Sequence, residues 1–284
     1  MKIIAICLIL LVLYAIWQQE ELKKFEVTTY EICSDKIKNE MNLVMISDLH
    51  SHVYGKQNDI LWEAVRKQKP DLILIPGDMI VSKKMKSYDV AYQAFRELTK
   101  IAPVYFSNGN HESRPIHKKA PLREAYLSYE TSVKELGVHI LNNTSETVTV
   151  KENNLCISGL EIDLSYYTKG NAGPLEEDFM EKKLGQTGDD DYQILLAHNP
   201  MYSEQYVKWG ANLTLCGHNH GGLVRLPGIG SLISPQFQLF PKYDAGRFDF
   251  HDKTVIVGRG LGTHTFHIRI FNRAELVCIH LRGK

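Results

Sequence analysis

Five short apolar runs in this chain stop at aspartate, asparagine or histidine, and no other feature constrains the fold as much. NLVMIS (42–47) runs into Asp48-Leu49-His50, and DLILIP (71–76) into Gly77-Asp78. PVYFSN (103–108) leads to Gly109-Asn110-His111-Glu112. YQILLA (192–197) leads to His198-Asn199-Pro200, and NLTLC (212–216) to Gly217-His218-Asn219-His220. Such continuous apolar runs read as strands buried on both faces. Amphipathic stretches, NDILWEAVRKQK (58–69) and YDVAYQAFRELTK (88–100), separate the first three. The pattern is therefore βαβαβ. Parallel strands need such crossovers, and a parallel sheet needs helices over its faces, so the chain is α/β.

The remaining elements follow the same logic. REAYLSYETSVKELG (123–137) reads as a helix with a glycine stop, and HILNN, ETVTVK and LCISGLE as strands. The polar stretch 162–190 reads as a loop with a short helix at 174–184, and YSEQYVKW (202–209) as a helix. TVIVG (254–258), HIRIF (267–271) and ELVCIHL (275–281) read as sheet strands. No repeat and no long Pro/Gly linker splits the chain. One large domain is expected over 41–284, behind a connector at 20–40 that holds a first strand.

Composition narrows the partners. The 284 residues are 44% hydrophobic, enough for a real core, and 33 basic residues balance 33 acidic ones. A protein held on nucleic acid by charge usually carries a basic stripe, so nucleic acid is not expected as a partner. The five cysteines are too scattered for a CxxC metal site or a disulfide framework; Cys7 lies in the apolar N-terminal segment, and the others read mostly as small buried hydrophobes.

The chain opens MKIIAICLILLVLYAIWQQEE, with no charge from Ile3 to Gln19. Seventeen helical residues reach about 25 Å, the short end of a membrane span. A signal peptide would want small residues before its cleavage site, where Trp17 stands; a soluble core helix would want a polar face. An uncleaved anchor over 1–19 fits best, with Lys2 and Trp17 at the interfaces. Lys23 and Lys24 follow it, so the charge bias favours neither orientation.

In an open α/β sheet the carboxyl ends of the strands share one edge, where ligands bind. The five strand ends would thus meet in space although they span 170 positions. Singly each motif is weak, but together they are hard to obtain by accident. Imidazole, carboxylate and amide oxygen suit Mn, Fe or Zn. In Asp48-x-His50 and His218-x-His220, alternation puts both side chains on one face of an extended segment. Seven candidate ligands are too many for one ion but suit two that share a carboxylate, about 3.5–4 Å apart.

At this point DLH, GD, GNHE, a lone His and GHNH, in this order, resemble the calcineurin-like metallophosphoesterases. The resemblance covers roughly 41–284, with PDLILIPGD, SNGNHE and CGHNHGG as its specific blocks. VGRGLGT (257–263) and IRIFNRAEL (268–276) are similar to the closing segment of a bacterial, often membrane-linked branch. Some members of that branch resemble hydrolases of lipid-precursor or nucleotide-sugar pyrophosphates. The resemblance implies a sandwich of mixed β-sheets flanked by helices, here after one N-terminal transmembrane helix. It implies two divalent ions: Asp48, His50 and His220 on one, Asn110, His198 and His218 on the other, and Asp78 between them. It further implies in-line attack by a bridging hydroxide on a phosphodiester or pyrophosphate, small or lipid-linked. His111 would contact the phosphate and protonate the leaving oxygen, and Glu112 would orient a neighbour. A metal-binding protein of this fold with little turnover is one competing reading, weakened by the complete ligand set. A nuclease is another, weakened by the neutral charge and the anchor.

Other polar residues are not recruited. His52 reads as a loop histidine, His117 with Lys118 and Lys119 as solvated, and His251, His267 and His280 as tail residues. His264 has a weaker claim on the cleft. Tyr166 and Tyr167 read as surface loop, with a cap over the site as the alternative. LPGIGSLISPQFQLFPKY (226–243) reads as ordinary packing, with a lid or membrane-facing loop as the alternative.

Overall fold

A computed structural model of the chain describes residues 2–170, 173–222, 224–263 and 267–284. His264 lies outside them. After a helix, α1 (Lys2–Glu21), come β1 (Phe25–Cys33), β2 (Met41–Met45), α2 (Asp59–Lys67), β3 (Leu72–Ile75), α3 (Lys86–Leu98) and β4 (Val104–Phe106). There follow α4 (Asn110–Ile116), α5 (Leu122–Glu135), β5 (His139–Ile140), β6 (Thr144–Val150), β7 (Asn153–Leu160) and α6 (Phe179–Leu184). The last part holds β8 (Tyr192–Ala197), α7 (Ser203–Trp209), β9 (Leu213–Cys216), β10 (Arg225–Leu226), β11 (Gly230–Ser231), β12 (Gly246–Phe250), β13 (Lys253–Val257) and β14 (Ala274–Arg282).

The strands form two six-stranded mixed sheets, ordered β1-β14-β2-β3-β4-β5 and β12-β13-β9-β8-β7-β6, with β10 and β11 as a small separate hairpin. Strands β2 to β5 are parallel, as are β7, β8, β9 and β13. The apolar runs are continuous because each sheet is covered twice. Leu43, Met45, Leu72 and Leu74 face Ile194, Leu196, Leu213 and Leu215 between the sheets. Val44, Ile46, Ile73 and Ile75 face the other way, onto Phe95 and Leu98 of α3 and Val133 of α5. On the far side Leu195, Ala197 and Val255 pack on Tyr206 of α7. The period of two along each strand thus feeds two cores at once.

Three expectations are corrected. The two packed sheets are the sandwich of mixed sheets that the resemblance implies, and the strand ends fall on both rather than on the single edge of an open sheet; the C-terminal ends of β2, β3 and β4 meet those of β8 and β9 at a common rim. HIRIF (267–271) is not a strand: Ile270 makes one isolated bridge with Val224, and the chain turns at Phe271, with φ +49°. Its Arg269 is buried, and the guanidinium donates to the carbonyls of Arg259, Gly260, Gly262 and Asn272 in place of a ladder. The helix expected at 174–184 is confined to 179–184, since it lies beyond Pro174 and the acidic 176–178 stretch and ends at Gly185. Four elements have no counterpart in the sequence reading: the short helix α4 directly after β4, the β10–β11 hairpin, and the edge strand β12.

α1 is long and apolar enough to cross a membrane, a property that signal sequences and some core helices share. It is not a core helix, because its apolar side chains are exposed. Its last turn is held: Gln18 Nε2 donates to Arg269 O and Gln18 Oε1 accepts from Arg269 N, each at 3.0 Å. Glu21 accepts from Arg273 Nε at 2.5 Å and from a guanidinium nitrogen at 3.0 Å.

Candidate metal centre

The loops after the five strands interlock before any side chain is considered. Asp48 N donates to Gly77 O and His50 N to Asp78 O, each at 3.1 Å. Gly217 N donates to His198 O at 3.0 Å, and Gly262 N reaches Asp48 O at 2.6 Å. His218 N donates to Asp48 Oδ1 at 2.9 Å, which ties the first sheet's rim to the second's. Gly77 has φ +94°, and a Cβ there would lie 2.5 Å from the Gly109 nitrogen, so two adjacent site loops could not close together. Gly222 (φ +84°) serves packing, not an open cleft: a Cβ would strike Ser231 Oγ at 1.7 Å.

The backbone is strained where the polar groups stand. Asp48, His50, Asp78, His218 and His220 have φ of +49°, +45°, +58°, +66° and +51°. Non-glycine residues rarely adopt this region, at a cost of about 1–3 kcal/mol each, and such residues cluster at functional sites.

The side chains converge in three overlapping groups: Asp48 with His50 and His220, Asp78 with His198 and His218, and His50 with Asp78 and His111. Within each, the donor atoms lie within 4.8 Å of one another. Asp48, His50, Asp78, Asn110, His111, His198 and His218 are buried, and the His220 side chain is 12% exposed. His198 Nε2 is 3.1 Å from Asp78 Oδ2 and 3.8 Å from Asp48 Oδ1. His50 Nε2 is 3.7 Å from Asp78 Oδ2, and His220 Nε2 is 3.4 Å from Asp48 Oδ1. All seven residues proposed from sequence as ligands thus share one site.

Each ring is oriented by its other nitrogen. His50 Nδ1 faces Ile80 O at 3.0 Å, His198 Nδ1 faces Pro76 O at 2.7 Å, and His220 Nδ1 faces Gly262 O at 3.1 Å. A carbonyl only accepts, so Nδ1 carries the proton and Nε2 turns inward as the basic atom. His218 is reversed. Its Nε2 donates to Gln236 Oε1 at 3.1 Å, leaving Nδ1 inward. Gln236 is itself fixed, since its amide nitrogen donates to Tyr166 O at 3.2 Å. The Asn110 amide lies between His218 Nδ1 at 3.0 Å and the Arg114 guanidinium at 2.8 and 2.9 Å. With nitrogen toward His218 both ends are satisfied; turned over, its oxygen joins His218 Nδ1 as a second donor atom for a cation.

His111 differs from all of these. Its Nδ1 accepts the Ser82 N–H at 3.1 Å, so in the neutral ring the proton sits on Nε2. Its backbone N–H donates to Asp78 Oδ1 at 2.8 Å. Glu112 binds backbone alone, accepting from the N–H groups of Asp78, Met79, Ile80 and Gly109 at 2.8–3.2 Å. It therefore holds the Asp78 loop against the start of α4.

This donor set fits divalent ions. The His50 and His220 Nε2 atoms stand 3.2 Å apart with rings stacked at 10°, both beside Asp48 Oδ1. Such basic atoms approach comfortably only around positive charge. Asp48 Oδ2 is buried with no hydrogen-bond partner. Burial raises the Asp48 carboxyl to about 6 against the pull of His198. Burial disfavours charge on His198, but Asp78 and then Asp48 hold its proton up to about 9. Burial would also raise Asp78, yet His198 and His111 more than offset it and leave the carboxyl well below the usual range. Burial, followed by the His198 charge, pushes His218 well below the usual imidazole range, toward a neutral ligand. The site thus holds charge that burial opposes, which a divalent cation would offset.

A cavity of about 390 Å³ opens over this cluster, lined by Asn110, His111, His218 and His220. Lys83, Lys84, Arg114 and Lys169 also line it, as an anionic substrate would require. Tyr167 packs edge-on against His218, ring centroids 5.0 Å apart, so the 162–190 segment does cover one side of the site. Gln236, Arg114 and Arg269 were not found from sequence. None belongs to a motif, and each acts only through tertiary contact.

Comparison with known proteins bears on the family and the fold. The family model described as calcineurin-like phosphoesterase matches residues 41–222. Phosphodiesterase YaeI of Escherichia coli is 27% identical over 215 residues, which cover 76% of this chain and 72% of YaeI. The uncharacterized metallophosphoesterase YkuE of Bacillus subtilis is 25% identical over 265 residues, 91% of this chain and 86% of YkuE. Among solved structures, a 5'-nucleotidase from Candida albicans aligns with a TM-score of 0.50 at 13% identity over 84% of this chain. That likeness is one of fold, and the chain spans 47% of that protein. The chain belongs to the calcineurin-like phosphoesterase family.

Proposed function

We propose that the chain hydrolyses phosphodiester or pyrophosphate bonds on a small or lipid-linked substrate, with two divalent cations, and that the His111 Nε2–H stabilises the leaving oxygen as a hydrogen-bond donor in place of the proton-transferring acid that the resemblance implies. The observation that carries this reading is the opposite tautomer of His111 in a cluster of inward-facing basic nitrogens. Asp48, His50 and His220 would hold one ion, and Asn110, His198 and His218 the other. Asp78 would reach both, since its Oδ2 lies 3.7 Å from His50 Nε2 and 3.1 Å from His198 Nε2. Bound there, two such ions supply Lewis acidity and lower the pKa of water; Mn, Fe and Zn suit the donors equally.

The chain's own residues do the rest. Carbonyls at Pro76, Ile80 and Gly262 keep three imidazoles in the ligating tautomer. Arg114 and the lysines at the mouth draw in and orient the phosphoester anion. His111 Nε2–H donates to the leaving oxygen, while Ser82 N–H holds the ring in place. Burial keeps bulk water from the charged groups. α1 serves as a single-pass anchor that places the domain at a membrane.

The test is metal analysis of the purified chain joined to hydrolysis assays on phosphomonoesters, phosphodiesters and pyrophosphates, lipid-linked ones included. Two bound ions with cleavage of diesters or pyrophosphates are expected. Bound ions without turnover of any class would overturn the enzymatic reading in favour of a binding role.

A further inference from the structure

Among the described residues outside α1, eleven large apolar side chains are exposed, and they are not scattered evenly. Five stand singly on separate parts of the chain. The other six are Ile229, Phe237, Leu239, Phe240, Ile268 and Phe271, exposed by 42–72%. They belong to two segments, 229–240 and 268–271, joined through Val224 and Arg225: Val224 bridges Ile270 and its carbonyl accepts from Leu232 N at 3.0 Å, and Arg225 N donates to Ile270 O at 3.1 Å. A soluble face would not concentrate such side chains; a binding face would.

The place of these segments decides what covers them. Arg269, between Ile268 and Phe271, is the residue that grips Gln18 of α1 through both its backbone N–H and C=O. Arg273 then holds Glu21. The apolar face is therefore continuous with the root of the helix that is long enough to span a membrane. Cations stand around it: Lys169 Nζ lies 4.4 Å from the centre of the Phe237 ring, and Lys83 and Lys84 are exposed at the same cavity. Apolar side chains edged by lysines suit the boundary between acyl chains and phosphate headgroups. Phe237 and Ile268 also line the cavity over the metal-ligand cluster.

We propose that segments 229–240 and 268–271 bed into the lipid boundary from which α1 emerges, so that the cavity opens at the membrane surface. This rests on the reading of α1 as a membrane span and is independent of catalysis. The chain then does more than hang from a tether. The Gln18–Arg269 and Glu21–Arg273 contacts fix one face of the domain toward the bilayer.

The experiment uses the full chain in liposomes, with Cys7 and Cys33 replaced by serine. An environment-sensitive fluorophore is attached in turn through Val12→Cys, Phe240→Cys, Phe271→Cys and, at the opposite end of the sheets, Lys67→Cys. Lipids brominated near the headgroup end of the acyl chain serve as quenchers for the probes at 240, 271 and 67, and lipids brominated near the methyl end for the probe at 12, which lies mid-span. Strong quenching at 12, 240 and 271, with none at 67, is expected. Quenching at 12 while 240 and 271 behave like 67 overturns the proposed surface. No quenching at 12 overturns the span itself, and with it the surface. Burial of the 240 and 271 probes that rises with protein concentration in detergent, without lipid, assigns the face to a second copy and also overturns the proposal.

Discussion

The His50 and His111 rings stand 4.7 Å apart, edge to face, but their Nδ1 atoms meet opposite partners: the Ile80 carbonyl for His50 and the Ser82 N–H for His111. One ring thus turns a basic nitrogen into the site and the other an N–H. This difference separates a ligand from a hydrogen-bond donor where spacing alone treats both as histidines. His111→Ala is expected to keep both metals and lose about 10²–10³-fold in turnover. The loss should be larger for esters with poor leaving groups. Metal content and rates across a leaving-group series check this; equal losses across the series would remove the donor role.

Asp78 reaches both halves of the cluster, so Asp78→Ala is expected to lower metal content and abolish most activity. The measurement is metal stoichiometry beside turnover. Full activity with two ions bound would contradict a bridging role.

Gln236 controls His218 from outside the motif. Gln236→Leu removes the acceptor that keeps the proton on His218 Nε2 and frees Nδ1. Metal affinity should fall about 10–100-fold, with activity recovered at high metal concentration. A metal titration that matches the unaltered chain would show that His218 needs no such support.

Glu112→Gln leaves a single side-chain acceptor oxygen facing four backbone N–H groups. Each buried donor left unsatisfied costs about 1–3 kcal/mol, so a clear fall in thermal midpoint is expected before any effect on chemistry. Calorimetry against Glu112→Ala, which should be worse, checks this.

Proton linkage follows from His198 and Asp48. Both are raised in the fold, to about 9 from 6.5 and to about 6 from 3.8. A raised group contributes stability that is complete below its unfolded pKa and fades as pH climbs through the folded one. The chelated protein should therefore lose stability from pH 4 to 6 through Asp48 and from pH 6.5 to 9 through His198. Divalent metal should reverse the second loss, because it takes the position of the His198 proton. Metal uptake near pH 7 should release protons, which calorimetry in buffers of different ionisation enthalpy detects. Uptake without proton release would contradict the assignment of His198.

Much of this site is legible in the sequence because its ligands follow buried strands. An apolar run can be recognised by itself, and the chain must turn sharply where it ends. Asp48, Asp78 and His198 are therefore found without knowing which sheet carries them. That two sheets share the rim is not legible, since β2 and β8 look alike as strings. Nor is the role of the 226–243 and 267–273 segments. Gln236 and Arg269 matter through the atoms they face across the fold, and no period or spacing announces that. HIRIF even imitates a strand, because a buried arginine serving four carbonyls leaves the same alternation as a ladder would.

The order β1-β14-β2 bears on biosynthesis. The strand at 274–282 lies between those at 25–33 and 41–45. A ribosome adds about 5–20 residues per second, so β2 waits roughly 10–50 s for its neighbour. During that interval the edge beside the future Asp48 loop stays open to other strands. Until the last strand emerges, the C-terminal segment is what this sheet lacks to close that edge.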